Sequence, residues 1–447
     1  MRTNRSRRLM AVGGLTIAAG LVLAGCTSGS DTGAPQVSPS TGASADGGQV
    51  KLSFTSWDPN MDKIVDVWNK ANPDIQVELV SPSESGDELV TKWIAQNKAG
   101  TNPDVVKVEY QNLPNLIANG VIVPLDQYVP DLASKYDAAS IAQVKFQDKV
   151  YGAPQDFAPL VFFYRQDVFD KLGLKAPATW DEYAADAKKI HDANPSQFIG
   201  TISSADPGWF AGLAQQAGGN WWSTSGDSWQ VNINDAGSKK VADFWTTLYQ
   251  QGVVEGTPFW STDWNAQMDN GTLVGWVSAA WAPAQLPNIA ADTAGKWTAA
   301  PLPAWTPGDT TTGVWGGSAV AVSSNSKHPA QAAKFVEWLN TSDEALKMQI
   351  STINVYPAAT AGRSLPELDQ PPAFMKNQPD YYKLIGQIAP HARSFDIWGP
   401  NAAVTFGAYR DGFAGALQNK TALSAALDTM QSTTVTDMTK RGFNVAK

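Results

Sequence analysis

Tryptophan carries the most suggestive chemistry in this chain. There are 18 among 447 residues, and many fall outside any periodic pattern: Trp57, Trp209, the pair Trp221 and Trp222, Trp260, Trp264, Trp281, Trp305, Trp315 and Trp398. An indole offers a broad apolar face at low entropic cost and an N–H at one edge. A pyranose presents the complement, an apolar C–H face that stacks and a rim of hydroxyls that need acid, amide or guanidinium partners. Asp58, Gln111, Asp156 and Arg393 lie near aromatics in the sequence and are candidates for that rim. Trp68, Trp93, Trp245 and Trp338 sit inside helical patterns and read as core.

Other chemistries find less support. The three histidines, His191, His328 and His391, are far apart and have no neighbour at metal-ligand spacing. No P-loop or dinucleotide fingerprint occurs, and Gly316-Gly317-Ser318 lacks the closing glycine of a nucleophile elbow. A glycosidase-like carboxyl pair stays open, because separation in space decides it and counting does not.

The single cysteine, Cys26, ends the run Leu23-Ala24-Gly25-Cys26, behind Arg2, Arg5, Arg7, Arg8 and a short apolar stretch. That stretch is too short to span a bilayer as a mature helix, so residues 1–25 read as an export signal. The run resembles a bacterial lipobox, in which the thiol receives a diacylglycerol and becomes the mature N-terminus. Two acyl chains satisfy the requirement for stable anchoring. Residues 26–48 are rich in Ser, Gly, Thr, Pro, Asp and Ala and read as a flexible tether. Loss of the four leader arginines leaves 29 basic residues against 42 acidic ones, a balance of −13. That balance argues against nucleic acid as a partner, and against anionic lipid bound through a basic patch. With one thiol there is no disulfide, and stability rests on the core.

Periodicity places the elements. Val50, Leu52 and Phe54 alternate as a strand; Asp58-Pro59 reads as a helix start, followed by Met61, Ile64, Val65 and Trp68 at helical spacing; Ile75, Val77 and Leu79 alternate again. The pattern repeats with a helix around Leu89 and Trp93 that stops near Gly100, a strand over 104–109 and a helix over 114–118. Leu160 to Tyr164 read as a buried strand, and Thr179-Trp180-Asp181-Glu182 as a capping box. Stripes at Ala332, Phe335, Val336 and Leu339, and at Leu423, Leu427 and Met430, read as core faces. The proline-rich stretches 301–307 and 366–379 are candidate crossings between lobes.

Nearly the whole body resembles the extracellular solute-binding proteins of ATP-driven importers, in the carbohydrate-binding group that includes maltose-binding protein. Asn102-Pro103-Asp104-Val105-Val106 with Ala118 to Asp126 is similar to the family's "PDV…GxLxPLD" stretch. Tyr151-Gly152-Ala153-Pro154, Tyr164-Arg165-Gln166-Asp167 and Pro177 to Glu182 resemble "YGxP…YNxDLF…PxTWDE", with Arg165 where Asn is usual. Asn270-Gly271 through Trp281 resembles "GxxAMxxxGxW", with Val274-Gly275-Trp276 in place of the Ala-Met pair, and Gly316-Gly317 through Lys327 with the Ala332 helix resembles "GG…I…SK…AAxxFxxFL".

The resemblance implies an α/β, two-lobed periplasmic-binding-protein fold whose lobes are discontinuous and joined by crossing hinge segments. Lobe 1 would comprise 49–157 and 305–355, and lobe 2 158–304 and 356–447, with crossings near 156–159, 303–306 and 354–358. It further implies a monomeric, cofactor-free and metal-free, non-enzymatic protein that delivers a sugar or oligosaccharide to the membrane permease of an ABC importer, held to the cell membrane by Cys26. Cleft residues carried over are Trp57, Asp58, Tyr110, Gln111, Asp156, Phe157, Trp281, Trp315, Gly316, Gly317 and Tyr356; Trp209, Arg393 and Trp398 rest on position and residue type. A secreted glycoside hydrolase and a binder of a non-sugar solute, such as a polyamine or peptide, are the competing expectations. An acidic cleft without stacked tryptophan would favour the last.

Overall fold

The computed structural model describes residues 49–82 and 86–446. The expected export signal, the expected tether and Cys26 lie outside them. Gly48–Lys447 forms one compact unit, built around two hydrophobic cores.

The first core surrounds a five-stranded sheet in the order Ile75–Val80, Val50–Thr55, Val105–Glu109, Ser318–Val322, Ala153–Pro154. The first three strands are parallel, and Ser318–Val322 runs antiparallel between Val105–Glu109 and Ala153–Pro154. The helices Met61–Ala71 and Pro329–Thr341 cover it. Trp68 joins them by packing edge-on to Phe335 at 5.3 Å while its N–H donates to Ile75 O. Asp58-Pro59 does not start the first helix: its N-cap is Asn60, in the left-handed region at φ 61. The Asp58 carboxylate is drawn instead into an ion pair with Lys107 at 2.5 Å, a long-range pull that overrides the local capping preference.

The second core surrounds an antiparallel sheet in the order Gly275–Ala279, Leu160–Arg165, Trp297–Pro301. Residues Leu160 to Phe163 and the whole Gly275–Ala279 strand are buried, as expected for a sheet covered on both faces. Gly275 is required there, since a Cβ would stand 2.2 Å from Ile199 O; this accounts for the departure at Val274-Gly275-Trp276. The helices Trp180–Ala193, Pro207–Gln216, Ala236–Gln250, Ala402–Asn419 and Ser424–Lys440 complete the lobe. Thr179 caps the first of these through Glu182 N, while the Glu182 carboxylate accepts from Ala178 N.

One crossing falls elsewhere than the sequence suggests. Residues 305–315 stay with the second core: Thr312 Oγ1 donates to Leu160 O at 2.7 Å, Trp315 N donates to Ala158 O, and the Trp315 ring is buried there. The chain changes lobe at Gly316-Gly317, past the proline-rich stretch. Near 354–358 the chain touches both lobes: Tyr356 packs in the second core and its carbonyl accepts from Phe157 N, while Val355, Ala358 and Ala359 pack in the first, where Arg363 pairs with Asp137. The first passage lies at Asp156 and Phe157, where Phe157 N donates to Tyr356 O.

Candidate functional site

Strands Val50–Thr55 and Val105–Glu109 are parallel neighbours, so Trp57 and Asp58 emerge at the same sheet edge as Glu109, Tyr110 and Gln111. The carboxyl edge of parallel strands is where α/β folds hold ligands. The interlobe passages reach this edge too, because Ser318 is the register partner of Glu109.

Lobe 1 contributes mainly charge. Lys107 pairs with Asp58 and lies over the Trp57 ring at 4.8 Å; Gln155 Nε2 donates to Asp58 at 3.0 Å. Asp156 Oδ1 accepts from Ser318 N and, at 2.6 Å, from its hydroxyl. Tyr110 lies against Gly317 and its hydroxyl donates to Asp156 O. At φ 85, with Tyr110 Cε2 only 2.7 Å from where a Cβ would stand, position 317 admits only glycine without strain. Burial lifts the carboxyl of Asp156, against the pull of Lys107 and Ser318. Burial, followed by the charges of Asp206 and Asp87, pushes Glu109 up to about 8 despite Lys107.

Lobe 2 contributes rings. Trp260, Trp264, Trp276, Trp281, Trp315 and Phe259 form one aromatic wall, with Trp281 and Trp315 at 4.7 Å and Trp260 within 6.3 Å of both. Trp281 Nε1 donates to Trp315 O. Asp206 N-caps the Pro207–Gln216 helix and accepts from two indoles, Trp315 Nε1 at 3.1 Å and Trp260 Nε1 at 3.3 Å. Its carboxyl is raised by burial. Trp260 is 41% exposed and held at φ 68. That is a sparsely populated conformation for a bulky residue, of the kind that clusters at functional sites. Across the interlobe gap, Arg410 pairs with Asp87 at 3.0 Å.

The structure thus brings Trp57, Asp58, Tyr110, Asp156, Trp281, Trp315, Gly316 and Gly317 into one region, with Phe157 and Tyr356 paired at the adjoining passage. Gln111 is buried in the turn after its strand. Three expectations are corrected. Trp209 is fully buried, donates to Val277 O and packs edge-on against Trp245 and Phe259, so its face is taken. Trp398 packs among Trp222, Phe395 and Phe406. Arg393 is exposed and tied by its backbone N–H to Thr312 O. Sequence reasoning omitted Trp260, Asp206 and Glu109 from the site. Asp206-Pro207 is a legible cap signal, but nothing local reveals that its second carboxylate oxygen serves an indole. A hollow of about 530 Å³ beside Val404, Ala408, Thr429 and Thr433 has one charged group, Asp411, and no aromatic ring in its lining.

The sequence profile described as bacterial extracellular solute-binding protein matches residues 52–346. The galacto-N-biose-/lacto-N-biose I-binding protein of an ABC transporter from Bifidobacterium longum, solved with lacto-N-biose, superposes with a TM-score of 0.81 at 29% identity, covering 90% of this chain and all of that one. An ABC transporter associated binding protein from B. animalis subsp. lactis, solved with beta-1,6-galactobiose, gives 0.80 at 26% identity, covering 89% and 100%. An arabinooligosaccharide-binding protein of Halalkalibacterium halodurans is 22% identical over 287 residues, 62% of this chain and 63% of that protein's length.

Proposed function

The chain belongs to the bacterial extracellular solute-binding proteins, and from that premise we propose that it captures a sugar or short oligosaccharide between its lobes and delivers it to an ABC importer without chemical change. One observation carries this: a partly exposed tryptophan, Trp260, set in a wall of indoles and fixed through its N–H to Asp206, beside the carboxyls of the facing lobe. A ring face with polar acceptors at its edge suits a pyranose. The sugar-binding relatives support the same conclusion. Closure of lobes around ligand follows the periplasmic-binding-protein example of hinge motion, and the closed form is favoured only by as much as ligand binds it better.

Thermal-shift and calorimetric titration with lacto-N-biose, beta-1,6-galactobiose and arabinooligosaccharides test the proposal. A sugar at about 100 times its Kd should add about 2.7 kcal/mol of apparent stability. The hydrolase alternative would use Glu109 and Asp206 as its carboxyl pair, so turnover of any bound oligosaccharide would overturn the binder assignment. A polyamine fits the acidic groups, and its ammonium groups can lie over indole faces; a shift with spermidine and none with sugars would favour it. We further propose that Cys26 carries the lipid anchor. Cys26→Ala should release a folded, sugar-competent protein into the medium, and retention of the variant in the membrane fraction would contradict the anchor.

A further inference from the structure

Charge at the site is unbalanced. Five carboxyl groups, those of Asp58, Asp87, Glu109, Asp156 and Asp206, interact there with two cations, Lys107 and Arg410. Both cations are committed, Lys107 to Asp58 and Arg410 to Asp87, and Asp156 is occupied by Ser318. Glu109 and Asp206, on opposite lobes, are in no ion pair among the described residues; Asp206 accepts from Trp209 N, Trp315 Nε1 and Trp260 Nε1, neutral donors that leave its charge uncompensated. Beside Glu109, Asn112 is 1% exposed, and its Nδ2 lies 3.5 Å from Glu109 Oε2 while its Oδ1 has no hydrogen-bond partner. An acceptor buried without a donor is costly. The site is therefore rich in groups that accept and poor in free cations.

We propose that Glu109 and Asp206 make this cleft a charge filter, so that it takes uncharged and amino sugars and rejects sugars bearing a carboxylate, phosphate or sulfate. Hydroxyl and ammonium groups donate to the carboxyls and to Asn112 Oδ1, whereas an anionic substituent adds a further negative charge in a partly buried site where screening by salt is weak. The filter weakens as pH falls, because protonation removes carboxylate charge; Glu109, which burial and its anionic neighbours push up to about 8, carries its full charge only above that value, so below it the repulsion rests mainly on Asp206.

This inference rests on the sugar-binding proposal, and the two fail differently. Matched probes are galactose, galacturonate and galactosamine, with glucose, glucuronate and glucosamine, each used directly and in competition with lacto-N-biose. Uronates should bind at least about tenfold more weakly than their neutral counterparts near pH 9, where Glu109 is ionised, with the gap smaller near pH 6; the amino sugars, which carry their ammonium charge near pH 6, should bind there at least as well as the neutral ones. The double variant Glu109→Gln/Asp206→Asn should lower affinity for every sugar, because Asp206 also holds Trp260 and Trp315, but it should narrow the ratio of neutral to acidic affinity, which is the quantity read. Neutral and acidic sugars bound equally, or acidic ones preferred, would overturn the filter and leave sugar binding standing. A gap unchanged in the double variant would remove these two residues as its cause. A panel without any sugar response would remove both proposals.

Discussion

The two lobes solve different problems with different residues. Around the first core pack only Trp68, Trp93 and Trp338, and that lobe brings Lys107, Asp58, Glu109 and Asp156 to the cleft. Around the second pack thirteen tryptophans, ten of them buried. The two exposed ones, Trp57 and Trp260, are divided between the lobes. Rings need rigid packing to hold a face at a fixed angle, and a dense indole network supplies it. Charges need a positioned counter-charge and hydrogen-bond donors, which the end of a parallel sheet and the crossing segment supply. A tryptophan-rich sequence therefore does not imply a tryptophan-rich site: most of the rings in lobe 2 support the few that face the cleft.

Truncating a supporting ring tests that distinction most severely. Trp209→Ala should lower the stability of the unliganded protein by roughly 3–5 kcal/mol, measured by denaturant unfolding, while the folded fraction keeps near-normal sugar affinity. Lost affinity in a protein of unchanged stability would return Trp209 to the site. Next in size is the presenting ring. Trp260→Gly removes the indole and relieves the positive φ, so sugar affinity should fall by about 2 kcal/mol with unliganded stability unchanged or higher. Trp281→Ala should also weaken sugar binding, but at some cost to stability, because Trp281 Nε1 donates to Trp315 O.

The passage between lobes is expected to be somewhat less sensitive. Gly317→Ala meets both a φ of 85 and the Tyr110 ring, and should cost about 1–2 kcal/mol in unfolding measurements. The gentlest test touches the charged lobe. Glu109 is an acid whose folded value, about 8, lies above its ordinary 4.5. The folded state therefore binds the extra proton between those values, and the contribution of Glu109 makes stability fall as pH rises through that window. Glu109→Gln should flatten that slope, with a melting temperature that gains on the wild type from pH 5 to pH 8. Parallel profiles would show that Glu109 is not held in its raised state.

Legibility in the sequence followed the range of the forces involved. The alternation of Val50, Leu52 and Phe54, the stripe of Ala332 to Leu339 and the cap at Thr179 depend on neighbours a few residues away, and they appear in the structure as periodicity suggests. Asp58-Pro59 failed as a helix start because a partner 49 residues away, Lys107, competes for the carboxylate. The second crossing was displaced because Thr312 and Trp315 are tied to residues 152 and 157 positions earlier in the chain. Glu109 and Asp206 entered the site only through folding, which sets acids from two lobes against each other.

The wall of indoles also has an optical consequence. Centroids of Trp260, Trp264, Trp276, Trp281 and Trp315 are separated by 4.7 to 6.3 Å along their contacts, close enough for excitation to pass between rings before emission. A quencher or solute seated on Trp260 therefore drains light absorbed by its neighbours as well. The protein carries its own reporter of occupancy, read as intrinsic fluorescence without any attached dye, against a steady background from indoles buried far from the cleft.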